Sequence, residues 1–293
     1  MRKKEFKPQS YYIIGVVAFV LCVGVVWLVI IGWQSRPSGG LEVTFLDVGQ
    51  GDGVLIATPT GKQVLVDAGK PGKISRPLSS QLPFFDRSLD MVIGTHADSD
   101  HIGGTSKVLD RYRVSRVVLP DRPNDTPTYQ AVIESAKKER RTGARIDTLS
   151  AGDVVSLGAG VYIVVVHPKN KAPKNPNDSS LVFKLVYGDT SFLFTGDISK
   201  SIERVLAYRY GDFLSADVLK VAHHGADTSS SQAFLSAVSP KRAVIQAGTD
   251  NQYGHPDDPV LDRLNSVSAS TTCTCEVGTV TLKSDGHKVV RQK

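Results

Sequence analysis

At 293 residues the chain is long enough for one large domain of roughly 250 residues, with a sizeable core, plus a short additional segment. Its net charge of +6 is concentrated at the start: the first 36 residues hold five basic groups against one acidic group, so the remainder is near +2 and a broadly polycationic surface is excluded. Three cysteines exclude a disulfide framework.

The N-terminal flank carries Arg2, Lys3, Lys4 and Lys7 against Glu5, and Tyr11 to Trp33 follows without a charged residue. A bilayer core is spanned by about 20 apolar residues, and Tyr11, Tyr12, Trp27 and Trp33 put aromatics at both ends, where a membrane interface favours them. The reading is a basic cytoplasmic tail over 1–10, a single transmembrane helix over 11–33 and a polar, Gly/Ser-containing linker over 34–40. The positive flank keeps the N-terminus inside, so the domain over 41–293 lies outside the cytoplasmic membrane. A cleaved signal peptide is the alternative; the apolar stretch is long for one and lacks a small-x-small site.

After the linker, Leu41 to Asp47, Val54 to Ala57 and Gln63 to Val66 read as strands broken by Gly, Pro and Thr. Helical spacing of apolar residues predicts helices near 103–112, 127–141, 199–210, 230–238 and 259–266. Between them lie short apolar runs at 91–94, 161–166, 191–194, 218–222 and 243–247, and the tail 273–293 reads as a closing hairpin. Strands first, then strand and helix alternating twice, suit two sheets packed face to face with helices outside, an α/β αββα four-layer sandwich. A disulfide between Cys273 and Cys275 is not expected. The basic stretches 137–141 and 169–174 read as a solvated helix face and a solvated loop.

The densest chemistry is Thr95-His96-Ala97-Asp98-Ser99-Asp100-His101-Ile102-Gly103-Gly104, directly after the apolar run 91–94. Carboxylates and imidazoles packed this closely cost free energy unless a cation sits among them, so a divalent metal or a pair of them is expected. Further candidates end the later apolar runs: His167, Asp197 in Thr195-Gly196-Asp197, His223-His224, and His255 after a short loop. Sheet edges on which strand ends converge are where α/β proteins place ligand sites. No Gly-x-Gly-x-x-Gly follows a strand, so nothing points to a nucleotide cofactor.

Asp67 after a strand, the His-x-x-x-Asp-His cluster, a mid-chain His, a Thr-Gly-Asp and late histidines resemble, in that order, the metallo-β-lactamase fold superfamily. More narrowly, Thr44-Phe45-Leu46-Asp47-Val48-Gly49-Gln50-Gly51-Asp52, the His-x-Asp-x-Asp-His-x-Gly-Gly cluster, Leu219-Lys220-Val221-Ala222-His223-His224-Gly225 and Asn251-Gln252-Tyr253-Gly254-His255-Pro256 are similar to the hydrolase domain of competence proteins of the ComEC/Rec2 type. Asp98 stands where most of the superfamily has His, as in that branch; of the branch's Asn-rich turn before Ser-Leu-Val, Asn177 is kept in Asn177-Asp178-Ser179-Ser180. The resemblance implies the αββα fold and a binuclear centre. His96 and Asp98 would hold one ion and Asp100 and His101 the other, with Asp197 bridging and His167 and His255 completing one ion each. His223 or His224 would be the general acid beside Asp100, and the converse, with His223 as ligand, stays open. Asp67 is expected to support the ligand loop through hydrogen bonds, while the roles of Asp47, Gln50 and Asp52 stay open. The absence of cysteine ligands and the three carboxylates bring manganese into contention beside zinc.

The expected function is a membrane-anchored, extracytoplasmic, metal-dependent phosphodiesterase acting on DNA, linked to DNA uptake and dependent on a separate channel protein. A phosphodiesterase of cell-envelope polymers and a non-catalytic DNA-binding receptor are the alternatives.

Overall fold

The computed structural model describes residues 17, 19–27, 39–169, 173 and 175–292. Residues 17 and 19–27 are helical. The basic tail, most of the expected transmembrane span and linker, and part of the basic stretch 169–174 lie outside the described residues. Among the described residues, no helix is long and apolar enough to cross a membrane. Residues 38–293 form one compact unit.

Within that unit, alternation builds the layers. The first six strands are β1 (Leu41–Phe45), β2 (Val54–Ala57), β3 (Gln63–Val66), β4 (Ser88–Ile93), β5 (Arg113–Val118) and β6 (Arg145–Asp147). The next seven, β7 (Val154–Gly158), β8 (Val161–His167), β9 (Val182–Tyr187), β10 (Thr190–Phe194), β11 (Val218–Lys220), β12 (Arg242–Ile245) and β13 (Ser270–Cys273), form a second sheet in the order β13-β12-β11-β10-β9-β8-β7. The chain then returns through β14 (Val280–Ser284) and β15 (Val289–Arg291) to give the first sheet the order β15-β14-β1-β2-β3-β4-β5-β6.

In β2, β3 and β10 every second residue (Val54 and Ile56, Val64 and Val66, Phe192 and Phe194) enters the core between the sheets, where Phe183 and Phe194 stack with centroids 4.7 Å apart. Their neighbours Leu55, Leu65 and Leu193 face the outer layers instead. A strand apolar on both faces must be covered twice. The covering helices are α1 (Ser75–Gln81), α2 (Ser99–Ile102), α3 (Thr105–Arg111) and α4 (Pro127–Arg141) in the first half, and α5 (Lys200–Tyr210), α6 (Gln232–Val238) and α7 (Asp258–Ser266) in the second. Leu78, Val108 and Leu109 pack on the first sheet, and Leu206, Phe234 and Leu264 on the second. The four layers are those expected.

Two local expectations are corrected. Cys273 and Cys275 are bonded to each other: β13 stops at Cys273 and the chain coils into the short helix α8 (Thr274–Val277), which brings their Cα atoms to 5.1 Å. An extended strand would hold them roughly 6.6 Å apart, near the limit of disulfide reach. The terminal hairpin is correspondingly shorter than 273–293, β14 pairing antiparallel with β15 only from Leu282.

Strand direction decides where the site lies. β3 to β6 are parallel to one another, as are β10 to β13. Asp67, the loop 95–101, Asp197 and the His223-His224 pair therefore leave the ends of β3, β4, β10 and β11 at one edge of the sandwich.

Phe183 is fully buried between the sheets. Phe183→Ala is expected to destabilise the unit by about 3–5 kcal/mol, read from chemical denaturation.

Candidate metal centre

The centre is organised around one oxygen. Oδ2 of Asp197 lies 3.2 Å from Nε2 of His101, 3.5 Å from Nε2 of His224, 3.9 Å from Nε2 of His223 and 4.0 Å from Nε2 of His96. Asp197 follows Gly196, whose φ of +51° and contact with Ser180 leave no room for a side chain. The Asp197 N–H donates to Ser180 Oγ, fixing the carboxylate at the end of β10.

Each buried imidazole is held by its other nitrogen. His101 Nδ1 donates to Asp67 Oδ2 at 2.8 Å and His224 Nδ1 to the Gln246 carbonyl at 2.8 Å. Thr95 Oγ1 donates to Asp67 Oδ2, which leaves it to accept from His96 Nδ1 at 3.1 Å. Donation through Nδ1 turns each Nε2 lone pair towards Asp197, the arrangement that orients metal-ligating histidines. Among the described residues the Nε2 atoms of His96, His101 and His224, and Oδ1 of Asp197, are buried without a hydrogen-bond partner. Buried acceptors left facing one another are costly, and a divalent cation satisfies them together. Ligand atoms around a cation at 2.0–2.2 Å stand roughly 3–4 Å apart, the spacing found here.

Two groupings emerge. Asp100 Oδ2 is 3.6 Å from His224 Nε2, so Asp100, His101, His224 and Asp197 face one position. Asp98 Oδ2 is 3.8 Å from His96 Nε2, so His96, Asp98 and Asp197 face a second. Atoms of Asp52, His101, Asp197 and His224 also lie within 4.8 Å of one another. Asp52, however, meets the imidazoles from the Nδ1 side, 3.3 Å from His224 and 3.6 Å from His101. Its carboxylate thus orients the two rings rather than sharing an ion with their Nε2 atoms.

Electrostatics follow the same pattern. Burial would raise the Asp197 carboxyl, but the His101 and His224 imidazoliums hold it well below the usual carboxylate range. Burial pulls His224 down, yet Asp197, Asp100 and Asp52 together raise it to about 9, and Asp197, Asp52 and Asp67 raise His101 as well. Burial and the neighbouring His101 hold His96 down to about 3.

The other expected residues are dispersed. His167 Nε2 bonds to the Asp178 carbonyl at 2.7 Å, bracing the turn that carries Asn177, and His167 is not among the ligand atoms around Asp197. His255 lines the same cavity of about 150 Å³ as Asp98, Asp100, Asn177 and His223. Its Nδ1 is held 3.1 Å from Asp257 Oδ1, its ring stacks on Tyr253, and its centroid lies 6.2 Å from that of His223. Of the late histidines, it is His224 whose buried Nε2 confronts both Asp197 and Asp100. His223 and His224 both adopt positive φ, 52° and 55°, an unusual pair for non-glycine residues that turns one ring inward and leaves the other at the rim.

Asp67 supports the ligand loop as expected, accepting from Thr95 N, Thr95 Oγ1 and His101 Nδ1. The early Gly-rich turn is now interpretable. A side chain on Gly51 would overlap the Asp100 carbonyl, so the turn packs directly on the ligand loop. Asp47 accepts from Gly49 N, and Gln50 lines the cavity and accepts from Gly248 N. Asp52 is buried in an ion pair with Lys220, itself 2% exposed. Lys220 was not singled out from the sequence, although a lysine inside the apolar run 218–222 was the available signal.

The chain belongs to the metallo-beta-lactamase superfamily, whose family model matches residues 46–248. It is 32% identical to ComE operon protein 3 of Bacillus subtilis, over 89% of this chain and 35% of that protein. It is 30% identical to recombination protein 2 of Haemophilus influenzae, over 84% of this chain and 29% of that protein. The chain thus spans about a third of the length of these curated relatives. Among solved structures, CmlA, a diiron β-hydroxylase from Streptomyces venezuelae, matches with a TM-score of 0.54 at 14% identity, covering 86% of this chain and 54% of that one, which shows the shared fold.

The raised His224 and His101 values fix a pH dependence. Their folded pKa values exceed the unfolded value near 6.5, so their contribution to the stability of chelator-treated protein is fully present below about pH 6.5. It is lost as pH rises through about 9 for His224. Thermal melting of chelator-treated protein should therefore fall across this window, and excess zinc or manganese should restore it with release of protons.

Proposed function

We propose that this metallo-β-lactamase superfamily member is a metal-dependent phosphodiesterase that cleaves DNA. The observation carrying the reading is the convergence of three buried, unpartnered imidazole Nε2 atoms and two further carboxylates on the Asp197 carboxylate, at the floor of a polar cavity open to solvent. This donor set, nitrogen and oxygen without sulfur, fits zinc or manganese, and its two groupings around a shared carboxylate fit a pair of ions. When bound, such ions lower the pKa of water and brace the attacking and leaving oxygens of an in-line displacement. DNA as substrate is supported by the relatives, whose names refer to the Com operon and to recombination.

In this reading the chain's own residues divide the work. Asp197 would be shared between the ions; His96 and Asp98 would hold one, and Asp100, His101 and His224 the other. Asp67, Thr95, Asp52 and Gln246 fix the tautomers. His255, which lines the cavity with its Nδ1 held by Asp257, gives the proton to the leaving oxygen. His223 and Asn177, whose Nε2 and Nδ2 are 3.5 Å apart at the rim, bind the scissile phosphate. This exchanges the sequence-based roles of His224 and His255.

The uncharged stretch 11–33 after a basic flank supports a single-pass anchor with the N-terminus in the cytoplasm and the hydrolase unit outside.

Purified full chain with zinc or manganese is expected to hydrolyse DNA and bis-p-nitrophenyl phosphate. His224→Ala should lose bound metal, by elemental analysis, together with activity on both. His255→Ala should keep its metal and slow DNA cleavage by about 10²-fold or more. It should slow release of p-nitrophenolate, which leaves without a proton, far less. Full metal in His224→Ala, or equal losses on the two substrates in His255→Ala, would return His255 to the role of ligand.

For topology, protease added to intact spheroplasts should digest the unit beyond Gly40. Protection that disappears only on lysis would place it in the cytoplasm.

A further inference from the structure

The edge of the first sheet opposite the metal centre carries an exposed aromatic pair. β4 delivers its ligand loop after Ile93, so the loop that enters it at Ser88 lies roughly 17 Å away, at the other edge. In that loop Phe84 and Phe85 are 89% and 58% exposed. Large apolar side chains left together at a surface mark an interaction site rather than a packing remnant.

One arginine contacts the pair and two more enter at the start of the neighbouring strand. The Arg87 guanidinium lies 5.7 Å from the Phe84 ring centre. The Arg87 carbonyl accepts from Arg113 N, and Ser88 is in register with Arg113, so Arg113 and the nearby Arg111 sit at the start of the neighbouring strand. All three are exposed, and among the described residues none makes an ion pair with a carboxylate. The local carboxylates are engaged elsewhere: Asp86 with Ser88 and the Gln63 amide, and Asp110 with Lys138 at 3.8 Å.

We propose that Phe84 and Phe85, flanked by Arg87, Arg111 and Arg113, form a docking surface for an anionic lipid bilayer. Phenyl rings suit the boundary between headgroups and acyl chains, and guanidinium groups suit lipid phosphates. The position in the fold selects lipid over nucleic acid. β1 is antiparallel to β2, β2 to β3, and β3 is parallel to β4, so Leu41 and Ser88 lie at the same edge. Three strand spacings, about 14 Å, separate them. The segment arriving through Gly40 therefore enters the unit beside the aromatic pair, whereas a polymer bound at the metal centre occupies the opposite edge. Docking would hold the catalytic edge away from the membrane.

The proposal rests on the reading of 11–33 as a tether. Residues 38–293 form a compact unit containing all the core clusters described, and both tryptophans, Trp27 and Trp33, precede it. Phe84→Trp in residues 38–293 is therefore a single fluorescent reporter. With phosphatidylcholine vesicles containing phosphatidylglycerol, its emission should shift to the blue and the protein should sediment with the vesicles. Phe84→Ser with Phe85→Ser should abolish sedimentation. Replacing the three arginines by glutamine should weaken it on the order of 10²-fold. Both variants should keep the circular dichroism of the parent.

Unchanged emission with no sedimentation would overturn the proposal, as would a spectral response to a single-stranded oligonucleotide with none to vesicles. The tether is tested separately by carbonate extraction of membranes holding the full chain. Release of the full chain would sink the tether reading whatever residues 38–293 do with vesicles.

Discussion

The Asp197 carboxylate is the constraint on which the centre depends. It is buried, it faces the Nε2 atoms of His96, His101 and His224, and no arrangement of neutral side chains satisfies all of them at once. The surrounding carboxylates raise His101 and His224, while burial and the neighbouring His101 hold His96 low. The hydrogen bonds behind the rings all serve this meeting point.

Holding like groups together requires a rigid frame, and the parallel segments of the two sheets provide it. Three loops with candidate ligands leave the ends of β4, β10 and β11, and the supporting Asp67 leaves the end of β3, so their positions are set by ladders rather than by the loops themselves. The Lys220–Asp52 pair spans the two sheets at this edge, joining the turn after β1 to the last residue of β11. Breaking one member of so buried a pair leaves the other charge uncompensated, which makes it a point of rigidity. The backbone at His223 and His224 carries the remaining cost, since two adjacent left-handed residues persist only where their surroundings enforce them.

The opposite edge has different chemistry. Chain entry at Gly40, exposed phenylalanines and arginines without an ion pair among the described residues occur there, far from the carboxylates of the centre. The two edges of one sandwich thus face different environments, polar and ligand-rich at one end, aromatic and basic at the other.

The sequence by itself determined the layered α/β architecture, through strands apolar on alternate or both faces, and pointed to most of the residues that converge on Asp197. His96, Asp98, Asp100 and His101 were legible because they fall within six residues after an apolar run, and Asp197 because it ends another. Elements without strong periodicity escaped: α1, with Pro77 and three serines, and short strands such as β6 and β7 that carry exposed residues. Only the tertiary structure decided which late histidine meets Asp197, because backbone dihedrals at 223 and 224, not spacing, turn one ring inward. It also decided that His167 braces a turn, that Asp52 and Lys220 meet across 168 positions of chain, and that Cys275 lies on a helical turn rather than a strand. These are contacts between segments remote in sequence or set by local dihedrals, and neither leaves a periodic trace in the order of residues.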